Sequence, residues 1–150
     1  MRRDFDNDLL ILLNDVARHM RTYGDQMARA HGMTRAQMIV LARLERQPDL
    51  SQNELAAIAE VSPMTIARLV DSLEALGLVE RGVDPDDRRV WRLRLTPAAA
   101  PLLGEIKRYR ARLHSVMTRG IEPEVLEDMA VALHQMKENV SARRLVEASA

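Results

Sequence analysis

The arrangement that most constrains this chain is a pair of short amphipathic segments separated by only Glu60-Val61-Ser62. The first follows Ser51-Gln52-Asn53-Glu54, a capping-box pattern in which each polar side chain bonds the other residue's backbone amide. Its apolar content is Leu55, Ala56, Ile58 and Ala59. Ser62 caps the second segment, and Pro63 takes the first turn, where a missing N–H costs nothing. That segment runs to Leu76, and Gly77 suits a left-handed stop. Two short helices joined by so tight a turn make a helix-turn-helix, whose second helix fits the roughly 12 Å major groove of duplex DNA. Ile66, Leu69, Val70 and Leu73 form its buried stripe, which leaves Met64, Arg68 and Asp71 on the opposite side and Thr65 on the flank. Ser62, Met64, Thr65 and Arg68 are therefore candidate DNA contacts. Thr65 offers a hydroxyl or a methyl, and Arg68 suits a guanine or a phosphate. Helix pairs of this kind also pack in all-α domains that never touch DNA, so the following residues must decide.

Leu78 to Arg81 and Val90 to Leu95 read as strands, joined by a turn over Gly82 to Asp87. Period two turns Trp91, Leu93 and Leu95 inward and Arg92 and Arg94 outward. The far end of the turn carries Asp87-Arg88-Arg89. An arginine on a hairpin tip, beside a helix in the major groove, is placed to enter the adjacent minor groove, where narrow A·T tracts concentrate negative potential. Asp87, two residues before Arg89, can fix that guanidinium by a charge-assisted hydrogen bond. Asp-Pro-Asp-Asp alone is ordinary turn chemistry. After a helix-turn-helix the hairpin reads as a wing, with Asp87, Arg88 and Arg89 as further candidates.

Long helices flank this middle. From Asp4 to Ala30, Phe5, Leu9, Leu12, Val16, Met20, Tyr23 and Met27 recur at spacings of three and four, giving a helix on the order of 40 Å long. Thr34 caps a second helix, Ala36 to Arg46, which Pro48 ends. After the hairpin, Thr96-Pro97 opens a helix bearing Leu102, Leu103, Ile106, Tyr109, Leu113, Val116 and Met117, and Gly120 breaks it. A last helix from Pro123 carries Val125, Met129, Leu133, Met136 and Val140, and the tail after Arg144 is expected to fray. The expected fold is mainly α with a small β-hairpin wing: a winged helix-turn-helix lobe over 34–100, with long dimerisation helices over 4–31 and 101–144. These flanking helices carry more apolar face than so small a middle can cover, which independently points to a homodimer. Two-fold symmetry would then set two recognition helices about 34 Å apart and require a pseudo-palindromic operator.

Formal net charge is zero, yet four of the seven residues from Arg88 to Arg94 are arginine. With no cysteine there is no disulfide or thiolate metal site. The four histidines lack metal-ligand spacing, and no nucleophile motif, phosphate loop or dinucleotide fingerprint is present. The expectation is a non-enzyme without metal or cofactor. No apolar run approaches a membrane span and no leader is visible, so the expected location is cytoplasmic. The other class of reading is a winged-helix protein-interaction module that does not bind DNA.

The stretch from Leu55 to Leu103 resembles the MarR family of bacterial regulators, MarR- and SlyA-type. The resemblance is carried by Leu55-Ala56, Val61-Ser62-Pro63, Arg68-Leu69-Val70-Asp71-Ser72-Leu73-Glu74, Gly77-Leu78-Val79-Glu80-Arg81, Asp86-Asp87-Arg88-Arg89 and Leu95-Thr96-Pro97, in order. It departs at Ala99, where many members have glycine. The resemblance implies a ligand-responsive repressor dimer on double-stranded DNA, with Arg68 on the recognition helix and Arg89 at the wing tip beside Asp87. It further implies a small-molecule effector, such as an aromatic acid or its thioester, held where the terminal helices meet the DNA-binding lobe. Arg18, His19, Arg21, Tyr23 and Met38 are the candidate linings.

Overall fold

Side-chain caps set most of the helix starts. The computed structural model describes residues 8–147. Asp8 accepts hydrogen bonds from the amides of Leu10 (2.9 Å) and Ile11 (3.3 Å) and so opens α1, Leu9–Ala30. The expected start at Asp4, with Phe5, lies outside the described residues. Thr34 and Gln37 form a reciprocal capping box for α2, Arg35–Arg46. Ser51 and Glu54 do the same for α3, Gln52–Ala59, at 3.1 and 2.7 Å. Ser62 accepts from the Thr65 amide at 3.1 Å to open α4, Pro63–Ala75. Gly77, at φ +70°, closes it, its amide reaching the Glu74 carbonyl and that of Leu78 reaching Leu73.

Strands β1, Val79–Val83, and β2, Trp91–Leu95, pair antiparallel with Val79 opposite Leu95 and Val83 opposite Trp91. A bridge from Ser51 to Arg92 ties β2 to the start of α3. A single 3-10 turn, Pro97–Ala99, leads into α5, Ala100–Met117, and Gly120 at φ +78° precedes α6, Pro123–Glu147. Helix α6 continues past the expected limit at Arg144, because Ala142, Arg143, Arg144 and Leu145 are all good helix formers.

The chain divides into two units, residues 1–110 and 111–150, at a boundary within α5. In the first, Leu41, Leu44, Leu55, Ile66, Val70, Leu73 and Leu93 are fully buried and join α2, α3, α4 and β2 in one core. Each such side chain contributes about 1.5–3 kcal/mol by leaving water. Ile66, Val70 and Leu73 are the stripe expected of α4, with Leu69 partly buried against them. One expectation is corrected here. Trp91 does not turn inward but stays 45% exposed. Its partner across the ladder, Val83, is exposed too, because the hairpin runs out beyond the body at that end; Leu93, midway along β2, is fully buried, and Leu95 packs half-buried against the core as expected. Along α1, Leu9, Leu12, Val16, Met20 and Tyr23 form an exposed apolar stripe. In the second unit, Val125, Met129, Leu133 and Val140 of α6 are likewise exposed.

Candidate nucleic-acid interface

Helix α4 buries one side and leaves the other open. Ser62, Met64, Thr65 and Arg68 are all exposed. The two hydroxyls are already engaged: Ser62 Oγ holds the Thr65 amide, and the two side-chain oxygens lie 2.9 Å apart. Met64 is 66% exposed. Arg68 has no hydrogen-bond or ion-pair partner among the described residues, so its five N–H donors are available to a ligand.

Behind α4 lies a basic residue the motif reading undervalued. The Arg81 side chain, 16% exposed, pairs with Asp71 at 2.7 Å and with Glu74. It donates to Gln52 Oε1 at 3.1 Å and to the Ala67 carbonyl at 3.2 Å. Glu74 also accepts from the Arg81 amide at 3.0 Å. One guanidinium thus pins β1 to both helices of the helix-turn-helix. The signal was present in the sequence, since period two puts Arg81 on the same side of β1 as buried Val79.

The wing is built on a second buried ionic residue. Asp84, with a side chain 8% exposed, accepts from the amides of Asp86 (2.8 Å) and Asp87 (3.1 Å) through Oδ1. Its Oδ2 accepts from Arg92 Nε at 2.6 Å. Arg92 in turn donates to Glu54 Oε2 and to the Asp49 carbonyl, both at 3.1 Å. Arg92 therefore does not simply face outward as the alternation suggests; it is half-buried beneath the turn. Arg94 does face outward and pairs with Asp49 at 2.6 Å. Hydrogen bonds from Arg92 and the two amides hold Asp84 below the ordinary carboxylate range. The capping box at Ser51, Asp84 and the turn thereby form one continuous polar chain.

At the tip, Asp87 accepts from Arg89 Nε at 3.1 Å, from Nη2 at 3.2 Å and from the Arg89 amide at 3.0 Å. This bidentate grip lowers the Asp87 pKa, the side-chain bond from Arg89 being the main cause. The Arg89 side chain remains 90% exposed, its Nη1 turned to no partner among the described residues. Arg88 is exposed alongside.

The candidate ligand linings lie elsewhere in the first unit. Arg18, His19, Arg21 and Tyr23 are exposed on α1, Arg18 pairing with Asp15 at 2.7 Å, while Met38 is buried in the core. Near Tyr23, the Tyr109 hydroxyl is buried without a hydrogen-bond partner among the described residues, and burial raises its pKa, with smaller contributions from Tyr23 and Asp25. A shallow hollow of about 500 Å³ at the start of α5 is lined by His31, Pro101, Leu102, Glu105 and Arg108 among others, and by none of those five candidates. Among the described residues there is no cluster of three or more His, Asp or Glu fit to hold a metal ion, and no helix long and apolar enough to cross a membrane.

A MarR family model matches residues 31–90, from just after α1 to just before β2. The fold is similar to that of a MarR family transcriptional regulator from Silicibacter pomeroyi, at TM-score 0.79 and 29% identity, covering 91% of this chain and 92% of the other. It is similar to the transcription regulator MarR from Oenococcus oeni, at TM-score 0.69 and 28% identity, covering 87% and 99%. MepR of S. aureus, solved as a complex with DNA, shares the fold at TM-score 0.78 and 23% identity, covering 90% and 98%. The matched segment 31–90 and these likenesses of fold, long helices at both ends included, make the chain similar to MarR family regulators.

Proposed function

We propose that this chain is a transcriptional regulator that binds duplex DNA sequence-specifically as a homodimer, with α4 in the major groove and the wing in the adjacent minor groove. The carrying observation is the pair of presented arginines. Arg68 projects from the open side of α4 without a partner among the described residues, and Arg89 is held by Asp87 with its outer edge left to solvent. Ser62, Met64, Thr65 and Arg88 complete the contact set. A DNA-bound relative of the same fold supports this reading.

The finer reading is a cytoplasmic repressor of a nearby promoter, relieved by a small effector such as an aromatic acid or its thioester. The Tyr109 hydroxyl beside Tyr23, buried with no hydrogen-bond partner among the described residues, supports a polar ligand group at that end of α1. Arg18 and Arg21 supply positive charge along the same helix, with the His19 imidazole between them. An effector there would favour a dimer geometry whose recognition helices no longer match the groove spacing, a shift between two populated arrangements.

The test is titration of the protein on its own upstream DNA across a salt series. A regulator gripping several phosphates loses affinity steeply as salt rises, because binding releases counterions. Salt-independent or absent binding would favour a protein-assembly role for the winged helix. A thermal-shift screen of aromatic acids and their thioesters tests the effector, and a full set without stabilisation counts against it.

A further inference from the structure

The DNA-binding reading leaves open which base α4 distinguishes. The open side of the helix presents two side chains with unsatisfied ends, Met64 and Arg68, one turn apart and on the same face. Ser62 and Thr65 are less free. Their oxygens share one hydrogen bond with each other and another with the Thr65 amide, leaving a single hydroxyl proton between them to donate outward. Arg68 satisfies a guanine or a phosphate equally well. The remaining group, Met64, is an unbranched thioether held out in water on a helix whose opposite side is sealed by Ile66, Val70 and Leu73.

An apolar side chain entering the major groove finds only one apolar group on any base edge, the C5-methyl of thymine. Against every other edge it covers hydrogen-bonding atoms without replacing their water, which costs free energy. We propose that Met64 is a specificity-determining residue that packs on a thymine methyl in each half-site. The inference rests on the DNA-binding function proposed above, and the experiment separates the two.

The full-length protein is used to select binding duplexes from a randomised library. In the selected duplex each thymine is then replaced in turn by deoxyuridine, which removes the C5-methyl and nothing else. At one thymine per half-site affinity should fall about fourfold, the worth of one methyl-sized group returned to water. Met64→Ala should lose the distinction between thymine and deoxyuridine at that position while still selecting the rest of the site, and Met64→Leu should keep it. Because Met64 is exposed, both variants should fold and assemble like the parent, which circular dichroism and sedimentation check. If no thymine is sensitive, or Met64→Ala discriminates like the parent, the Met64 inference falls and the DNA-binding function stands. If the library yields no enriched sequence, the DNA-binding function falls and takes the inference with it.

Discussion

Arg89 and Asp87 form a unit whose two members have different duties. In the proposed complex Arg89 would carry the charge to the groove, while Asp87 fixes its direction through two side-chain bonds. Arg89→Ala should weaken DNA binding with assembly unchanged. Asp87→Ala should weaken it less, and the double variant should bind no worse than Arg89→Ala, because residues acting through one contact are not additive. Titration of all three variants on one duplex checks this; additive losses would mean that Asp87 does not act through Arg89. The pair is also insensitive to ordinary pH. Arg89 depresses the Asp87 pKa in the folded chain, so the pair is intact above the ordinary carboxylate value and dissolves only as pH falls through the lowered one. Affinity changes between pH 6 and 8 should therefore persist in Asp87→Asn. At Arg68, alanine should cost about 1–3 kcal/mol on the selected duplex and little on scrambled DNA if the side chain reads a base; equal losses on both would make it a phosphate contact. The local pairing of Asp87 with Arg89 was legible in the sequence because its partners are two residues apart. The roles of Arg81 and Asp84 were not. Arg81 draws partners from Gln52, Ala67, Asp71 and Glu74, and Asp84 from Arg92 across the hairpin, and no spacing rule joins such distant positions.

Among the elements, capping made the boundaries readable. The box at Ser51, the serine–proline start of α4 and the glycine after it are local chemistry, and each fixed a helix end within a residue or two of its observed place. Alternation along β2 was less reliable, because it reports burial only where a strand lies over the core, and Trp91 sits where the hairpin has left it. What holds that projecting hairpin is the polar chain from the Ser51 cap through Glu54, Arg92 and Asp84 to the turn. Asp84→Ala removes the acceptor for two turn amides and strands Arg92 half-buried without its closest partner. Amide hydrogen exchange at Asp86 and Asp87 should quicken, and DNA affinity should fall although Arg89 is untouched. Unchanged exchange there would show that the turn is shaped by its backbone alone. Arg81→Ala acts on a different joint. With β1 unpinned from α3 and α4 and Glu74 left without its cation, global stability should fall by about 2 kcal/mol, measured by urea unfolding.

For the molecule as a whole, the decisive surface is the stripe along α1. Leu9, Leu12, Val16, Met20 and Tyr23 repeat at helical spacing and stay exposed on a helix of about 33 Å, an apolar band longer than a monomeric protein commonly leaves in water. A second copy of the chain covers it most economically, because a two-fold axis lets one stripe seal its own duplicate. That arrangement has a consequence for DNA. A dimer binds its second half-site as an intramolecular event, so its affinity exceeds that of one lobe by the effective concentration the pairing imposes, a factor of roughly 10²–10⁴. Val16→Glu puts a carboxylate in the middle of the stripe, where two copies would face each other across the axis or lie buried against apolar neighbours. Sedimentation of the parent at micromolar concentration should show a dimer, and Val16→Glu should shift it toward monomer. Helix content should hold, since the substituted side chain is exposed in the single chain. On a duplex with two half-sites the variant should lose most of its affinity, whereas on a duplex cut to one half-site it should match the parent. A parent that sediments as a monomer, or a variant that stays dimeric and binds both duplexes normally, would remove α1 from the assembly and leave its apolar stripe to some other partner.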